Sequence, residues 1–352
     1  GVSVGAADRV PAFFHARSLG CGGAQMRGSE AAILGLSGRA VFVGVALLAG
    51  AAPGGPTFST RGPHERSGDK PGVPATQTGP AFAPWSGSAD GLPVYIAQVN
   101  LNSGGLNIVG DAANEPSICV DPTAPDRLAI AWRQFDTITS NFRQAGNACS
   151  LDGGRTWHNN PPVDAGVFRS DPVLAAGSDG RFFLNILTSG AGGFRCDVAV
   201  SEDGGQSWGT PRFAFGGDKS WMTIDRSGGA GDGLLHQAWS TASNPTPGNQ
   251  YSRTLDGAAT WATPSALAGN MVWGTLAVGN AGELYVVGQG GGQVRITRSM
   301  SAGSPGAPSV VFDPHVVVTL GGPPRGIGGA PNPGGLIGQL WIDVDRSSGP
   351  RR

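Results

Sequence analysis

Charge is scarce in this 352-residue chain: 14% of residues are charged, with 24 Lys and Arg against 25 Asp and Glu, a formal net charge of −1. A near-neutral chain lacks the electrostatic footprint of a nucleic-acid binder or of an anionic-membrane binder, so neither partner is expected. Tyrosine occurs three times and cysteine four times, at Cys21, Cys119, Cys149 and Cys196. No CxxC pair or Cys/His ligand spacing is present, so no metal and no cofactor are expected. No uninterrupted apolar run approaches the ~20 residues of a membrane span, and none is expected in the mature chain. Glycine and proline are plentiful instead, at 60 and 27. With many short apolar runs between them, they suit a turn-dense all-β architecture better than helices.

The first ninety residues read differently from the rest. Met26 and Arg27 are followed by small residues, Arg39, the apolar run 40–48 and then Ala49-Gly50-Ala51, small residues suited to cleavage. Residues 26–51 therefore read as a secretory signal peptide, residues 1–25 as an upstream non-native extension, and the mature protein as secreted, extracellular or periplasmic. Residues 52–92 are rich in Pro, Gly, Ser and Thr without hydrophobic periodicity, which predicts a disordered linker. The remaining residues, 93–352, form the predicted domain.

Within that domain one phrase occurs three times: Ser150-Leu151-Asp152-Gly153-Gly154-Arg155-Thr156-Trp157, Ser201-Glu202-Asp203-Gly204-Gly205-Gln206-Ser207-Trp208 and Thr254-Leu255-Asp256-Gly257-Ala258-Ala259-Thr260-Trp261. Its chemistry is that of a tight hairpin. The Asp carboxylate accepts backbone N–H groups of its own turn, glycine permits the unusual dihedrals, and Trp pins the turn. The spacing matches the ~40–50 residues of a propeller blade. The phrase resembles the Asp-box, or bacterial neuraminidase repeat, of sialidase-like β-propellers, with Ala258 a mild departure. That resemblance implies a fold of four-stranded antiparallel blades, six when complete.

A second phrase precedes each box. Pro116-Ser117-Ile118-Cys119-Val120-Asp121, Pro172-Val173-Leu174-Ala175-Ala176-Gly177, Ser220-Trp221-Met222-Thr223-Ile224-Asp225, Gly274-Thr275-Leu276-Ala277-Val278-Gly279 and Leu340-Trp341-Ile342-Asp343-Val344-Asp345 are apolar runs ending in polar turns, as buried inner strands are. Second strands are expected at 128–132, 182–187, 234–239 and 284–287, and third strands at 142–149, 195–200, 250–253 and 294–298. Four blades result, with the start of a fifth, and the propeller is expected to be truncated at the C-terminus. The fourth blade carries a degenerate box at Ser299-Met300-Ser301-Ala302-Gly303. Cys119 and Cys149 fall on first and third strands, which are not neighbours, so the cysteines read as buried small hydrophobes rather than disulfide halves.

Alternating strand direction sorts the polar residues onto two faces. The boxes share one face with Asp121, Asp126, Asp179, Asp225, Asp232, Glu202 and Glu283. The other receives Asp111, Glu115, Asp136, Asp164, Asp171, Asp218 and Asp313, with Arg133, Arg143, Arg169, Arg195, Lys219 and Arg295. Sialidases, by the resemblance, use that second face: three arginines clamp the substrate carboxylate, an Asp serves as acid/base, and a Tyr activated by Glu is the nucleophile. The residues here that could take those roles are Asp136, Glu115 and Tyr251 as catalytic groups. Arg133, Arg143, Arg169, Arg195, Asp171 and Trp221 would bind substrate. Plainer readings stand beside these: Arg133 with Asp136, and Arg169 with Asp171, as local structural groups, Tyr251 as interblade packing, and Trp221 and Trp273 as strand aromatics rather than sugar-stacking platforms. The Arg-Ile-Pro phrase of many sialidases is absent.

The expected function is recognition of extracellular glycans or glycoconjugates, with hydrolysis of exo-α-sialidase type as its enzymatic form. The alternative is a non-catalytic secreted propeller serving as a carbohydrate- or protein-binding, adhesion scaffold.

Overall fold

The structure is a computed structural model, and it describes residues 30–34, 42–46, 71–89, 92–138, 140–190, 193–241, 244–272, 274–322, 324 and 339–347. The described residues contain strands and no helix. They build four successive antiparallel sheets, each the size and topology of a propeller blade.

The first blade runs Ala112–Val120, Leu128–Phe135, Arg143–Ser150 and His158–Val163, each strand paired to the next. The second runs Ser170–Ala176, Phe182–Gly190, Gly193–Ser201 and Arg212–Phe213. The third has three strands, Trp221–Ile224, Leu235–Ala238 and Tyr251–Thr254, with a single bridge from Tyr251 to Ser265 where an outer strand would lie. The fourth runs Leu276–Val278, Leu284–Gly290, Gln293–Ser299 and Val316–Val318. The fifth inner strand expected from 340 forms no ladder. Its backbone lies along the fourth blade, with Ile342 N donating to Thr275 Oγ1 at 2.9 Å and Arg346 Nε to Val278 O at 3.0 Å.

The core lies between blades. Ala129, Ala131 and Ala145 of the first blade meet Leu174, Phe182, Leu184 and Ile186 of the second. Val173, Phe183 and Val198 of the second meet Met222, Ile224 and Leu235 of the third. Ala238 and Tyr251 of the third meet Leu276, Val278, Leu284 and Val286 of the fourth. Strands buried on both faces read as continuous apolar runs rather than alternating ones, which is why the inner and second strands are visible in the sequence.

The boxes close the turns between third and outer strands. In the first, Asp152 Oδ1 accepts from Arg155 N at 3.0 Å and Thr156 N at 2.9 Å, Oδ2 accepts Thr156 Oγ1 at 2.7 Å, and Ser150 Oγ accepts Gly154 N at 2.8 Å. Asp203 and Asp256 repeat this with Ser207 and Thr260, and Ser201 and Thr254 receive the N–H groups of Gly205 and Ala258. In the fourth blade Ser301 stands in for the missing Asp, its Oγ accepting Val311 N at 2.9 Å.

Box turns also tie blades together. A Cβ on Gly205 would sit 3.0 Å from Ala129 Cβ and 3.2 Å from Cys149 Cβ of the preceding blade, at a φ of +87°. Asn160 of the first blade donates to Gly205 O at 2.7 Å, and Trp208 Nε1 donates to Asn147 Oδ1 at 3.0 Å. Arg253 does the same work with charge. Its Nη1 reaches Ala302 O at 2.7 Å and Ser304 O at 2.9 Å in the degenerate turn of the fourth blade.

Cys119, Cys149 and Cys196 are free thiols; Cys119 and Cys149 pair from opposite sides with Ala129, the strand that separates them. Of the segment read as a signal peptide, the described parts are two strands, Glu30–Leu34 and Phe42–Ala46, paired to each other. The second also runs parallel to Leu92–Ala97. In the stretch read as linker, Thr78–Gly79 pairs with Asn107–Ile108, and Trp85–Ala89 with Leu92–Ala97. These pairings use backbone groups under largely exposed side chains, so no apolar periodicity marks them. Residues 1–25 lie outside the described residues. No described helix is long and apolar enough to cross a membrane.

Candidate functional site

On the face away from the boxes, matching residues at the start of three successive inner-strand phrases share one backbone feature. Glu115, Asp171 and Lys219 each adopt a left-handed φ, at +49°, +46° and +52°. They stand directly before Pro116, Pro172 and Ser220, the first residues of the inner-strand phrases. In the first two blades the ladder slips there, between Asn114 and Ser117 and between Ser170 and Val173. Bulges of this kind re-aim side chains, and repeated left-handed non-glycine residues store strain that the surrounding structure must hold.

The three side chains converge. Lys219 Nζ lies 2.9 Å from Asp171 Oδ1 and 3.3 Å from both oxygens of Glu115. Arg133, from the second strand of the first blade, completes the cluster with Nη2 at 3.1 Å from Glu115 Oε1 and Nη1 at 3.9 Å from Asp171 Oδ1. Asn114 Oδ1 accepts Arg133 Nε at 2.7 Å and fixes the guanidinium plane. The cluster is mostly shielded: the Asp171 side chain is 5% exposed, while Glu115 keeps 39% toward solvent.

The two carboxyls are driven in opposite directions. Burial raises Glu115 above its ordinary value against the pull of Arg133 and Lys219, with the neighbouring Asp171 charge pushing the same way as burial. Burial also works to raise Asp171, but the Lys219 and Arg133 charges and a hydrogen bond from Glu115 outweigh it and hold that carboxyl low. Neighbouring carboxyls driven apart in proton affinity are an arrangement that acid–base sites use. Their shared hold on Lys219 Nζ sets a limit, however. Glycosidase carboxyls stand ~5–5.5 Å apart in retaining enzymes and ~6.5–9.5 Å in inverting ones. Two carboxyls bridged by one ammonium leave that gap filled rather than open to an anomeric carbon.

The other candidates lie elsewhere. Asp136 is buried and accepts Gln144 Nε2 at 2.7 Å. Tyr251 is 1% exposed, with its hydroxyl 2.7 Å from His236 Nδ1 and its ring edge-on to Phe312 at 5.0 Å. Burial raises its phenol far above the ordinary value, the opposite of an activated nucleophile. Asp136, Glu115 and Tyr251 are thus divided among three settings.

The arginines are divided too. Arg143 is buried with its guanidinium 5.5 Å and 5.6 Å from the Phe135 and Phe168 ring centres. Arg169 is buried in two ion pairs, to Asp164 at 2.6 Å and Asp197 at 2.7 Å, and does not hold Asp171. Arg195 shares Asp197 at 3.3 Å and lies over Phe213. Only Arg133 of the four reaches the axial cluster, so a three-arginine clamp is not assembled. Trp221 packs edge-on against Trp341 at 5.1 Å. Trp273 lies outside the described residues.

Lys219 is the residue sequence reasoning underweighted. It stood among the basic candidates of this face, yet its place in the repeat, one position before the inner-strand phrase, already matched Glu115 and Asp171. Among the described residues no group of acidic, His and Cys side chains is arranged to hold a metal.

Comparison with protein-family models finds no match, and comparison with curated proteins finds none. Solved structures do resemble the chain. A Dyadobacter fermentans protein of unknown function matches with 16% identity over 62% of this chain and 71% of its own, at a TM-score of 0.44. A Penicillium chrysogenum α-L-arabinanase solved with arabinobiose matches with 16% identity over 61% and 69%, at 0.40. A Hadza microbial sialidase matches with 15% identity over 63% and 37%, at 0.35, so the chain spans little more than a third of that protein. By its own sheets the chain is an all-β protein of propeller architecture.

Proposed function

We propose that this chain is an exported propeller with Asp-box turns that recognises extracellular glycans on its axial face, binding them without turnover. The single observation that carries this reading is the convergence of Glu115, Asp171 and Lys219 from matching left-handed positions of three blades, with Arg133 beside them. Two carboxylates offer acceptors and two cations offer donors, the complement that fixed sugar hydroxyls require, and polar groups held by a rigid scaffold bind at low entropic cost. The near balance of charge favours neutral sugars over sialic acids, since the arginines a carboxylate clamp needs are engaged elsewhere. Export rests on the pattern of residues 26–51.

A second reading, hydrolysis, is favoured by one observation, the opposite displacement of the two carboxyl pKa values. It requires substrate to displace Lys219 and part the carboxyls. Incubation with fluorogenic glycosides, a sialoside and an arabinoside included, separates the two. The binding reading expects no release above background; release abolished by Glu115→Gln overturns it in favour of the second.

A further inference from the structure

Where the third blade lacks an outer strand, the segment 262–265 holds the third strand at its two ends only. Ala262 N donates to Arg253 O at 2.9 Å and Ser252 Oγ to Ala262 O at 2.6 Å, while Ser265 N donates to Tyr251 O at 2.9 Å. Pro264, between them, has no N–H to give, so the ladder is interrupted. A cavity of about 250 Å³ stands there. Its other wall is Pro308, Ser309 and Val310, which lead toward the outer strand of the fourth blade.

Arg253 lines this cavity, and its charge is unanswered. The residue is 5% exposed, yet no carboxylate pairs with it among the described residues. Other arginines of the fold do find one: Arg133 meets Glu115, Arg169 meets Asp164 and Asp197, and Arg298 meets Asp313. Arg253 meets carbonyls alone. Its Nη1 donates to Ser301 O, Ala302 O and Ser304 O at 3.3, 2.7 and 2.9 Å, and its Nη2 to Ala307 O at 3.1 Å. That leaves Nε–H and one Nη2–H without an acceptor among the described residues. Carbonyl dipoles soften a buried charge, but an opposite charge is what balances it. No Asp or Glu lines the cavity among the described residues. Thr263, Ser265 and Ser309 do line it, and their hydroxyls take no bond from the described protein.

From this cavity, its unbalanced guanidinium and its idle hydroxyls we infer a binding site for a small hydroxylated carboxylate, a sugar acid of one ring. The carboxylate lies against the unused N–H groups of Arg253, where charge-assisted bonds are about twice as strong as neutral ones. The three hydroxyls meet the ring's own hydroxyl groups, and Pro308 and Val310 give it an apolar wall. An apolar cavity of ~150 Å³ takes benzene, so about 250 Å³ holds a substituted six-membered ring. The site is built from the third and fourth blades and stands or falls independently of the glycan reading of the Glu115 cluster.

Thermal shift at constant ionic strength tests it, with sodium glucuronate as the probe and glucose and sodium benzoate as controls. The expected result is a rise in Tm with glucuronate that neither control gives, since glucose lacks the charge and benzoate the hydroxyls. Arg253 also holds the turn of the fourth blade, so the exposed residues Thr263 and Ser309 are varied in its stead. Ser309→Trp should fill the cavity and lose the glucuronate shift. Thr263→Glu should supply the missing carboxylate from within, raising Tm without ligand and leaving no further rise with glucuronate. Asp171→Asn, at the axial cluster, should keep the shift. No rise with glucuronate, an equal rise with glucose or benzoate, a rise that survives Ser309→Trp, or one lost in Asp171→Asn would overturn the inference.

Discussion

Asp171 and Lys219 occupy the same position in neighbouring blades and are joined across the blade boundary by a 2.9 Å ion pair. The same ammonium holds Glu115 of the blade before. Three blades are therefore stitched at one point near their inner strands, and that point presents the charged groups the face offers.

Removing the stitch should be costly. Lys219→Met leaves Asp171 buried beside Glu115, without the charge that most lowers its pKa and with Arg133 as the remaining cation of the cluster. Breaking a buried pair costs roughly 3–5 kcal/mol, and the solvent that reaches Glu115 places this case near the lower bound. Urea unfolding of the variant should show that loss, and Lys219→Met with Glu115→Gln should recover part of it.

Gly205→Ala should destabilise by about 1–3 kcal/mol, because the added methyl group meets Ala129 and Cys149 at a left-handed φ. Gly228→Ala, also left-handed at φ +71° but facing open space, should lose less. Equal losses in the two variants would show that blade packing against Gly205 is not the cause.

The box aspartates contribute stability that acid removes. Burial is the largest single influence and works to raise Asp152, Asp203 and Asp256, but the several hydrogen bonds within each turn, those from Thr156, Ser207 and Thr260 among them, together outweigh it and lower the three below the ordinary 3.8. A lowered folded-state pKa means the contribution is complete above the unfolded chain's ordinary 3.8 and is lost as pH falls from there through the folded-state value. Asp203→Ala should cost ~1–3 kcal/mol at neutral pH, from turn N–H groups left without an acceptor, and progressively less in strong acid.

His236 acts in a higher window. Burial, with Arg253 nearby, lowers it from 6.5 to about 3. The unfolded chain therefore takes up the proton first, and stability is complete above pH 6.5 and declines from there toward pH 3. Between pH 7 and pH 5 the loss should be about 2 kcal/mol, at 1.36 kcal/mol per unit. In His236→Gln that slope should vanish whatever the variant's overall stability.

Much of the architecture is legible in the sequence because it rests on burial. Inner and second strands covered on both faces write themselves as short apolar runs, and the boxes announce the turns after Ser150, Ser201 and Thr254. The outer strands are not legible, since Arg212–Phe213 and Val316–Val318 are exposed and join by backbone alone. The third blade does without one. The site was half legible. Topology correctly sends Glu115, Arg133 and Asp171 to one face, but it does not fix how side chains pair there. Arg169 finds Asp164 and Asp197, Arg143 slides between two phenylalanines, and Tyr251 turns inward to His236, because buried charge and phenol each need a partner that spacing along the chain does not reveal.

The central claim is that the axial cluster binds neutral glycans without cleaving them. An array of neutral and sialylated oligosaccharides, probed in parallel with the purified chain and its Asp171→Asn variant, tests it most directly. The account predicts retention of neutral glycans by the parent chain, loss of that retention in Asp171→Asn, and no sugar released into the wash. Binding confined to sialylated glycans, binding unchanged in Asp171→Asn, or no glycan bound at all would contradict it.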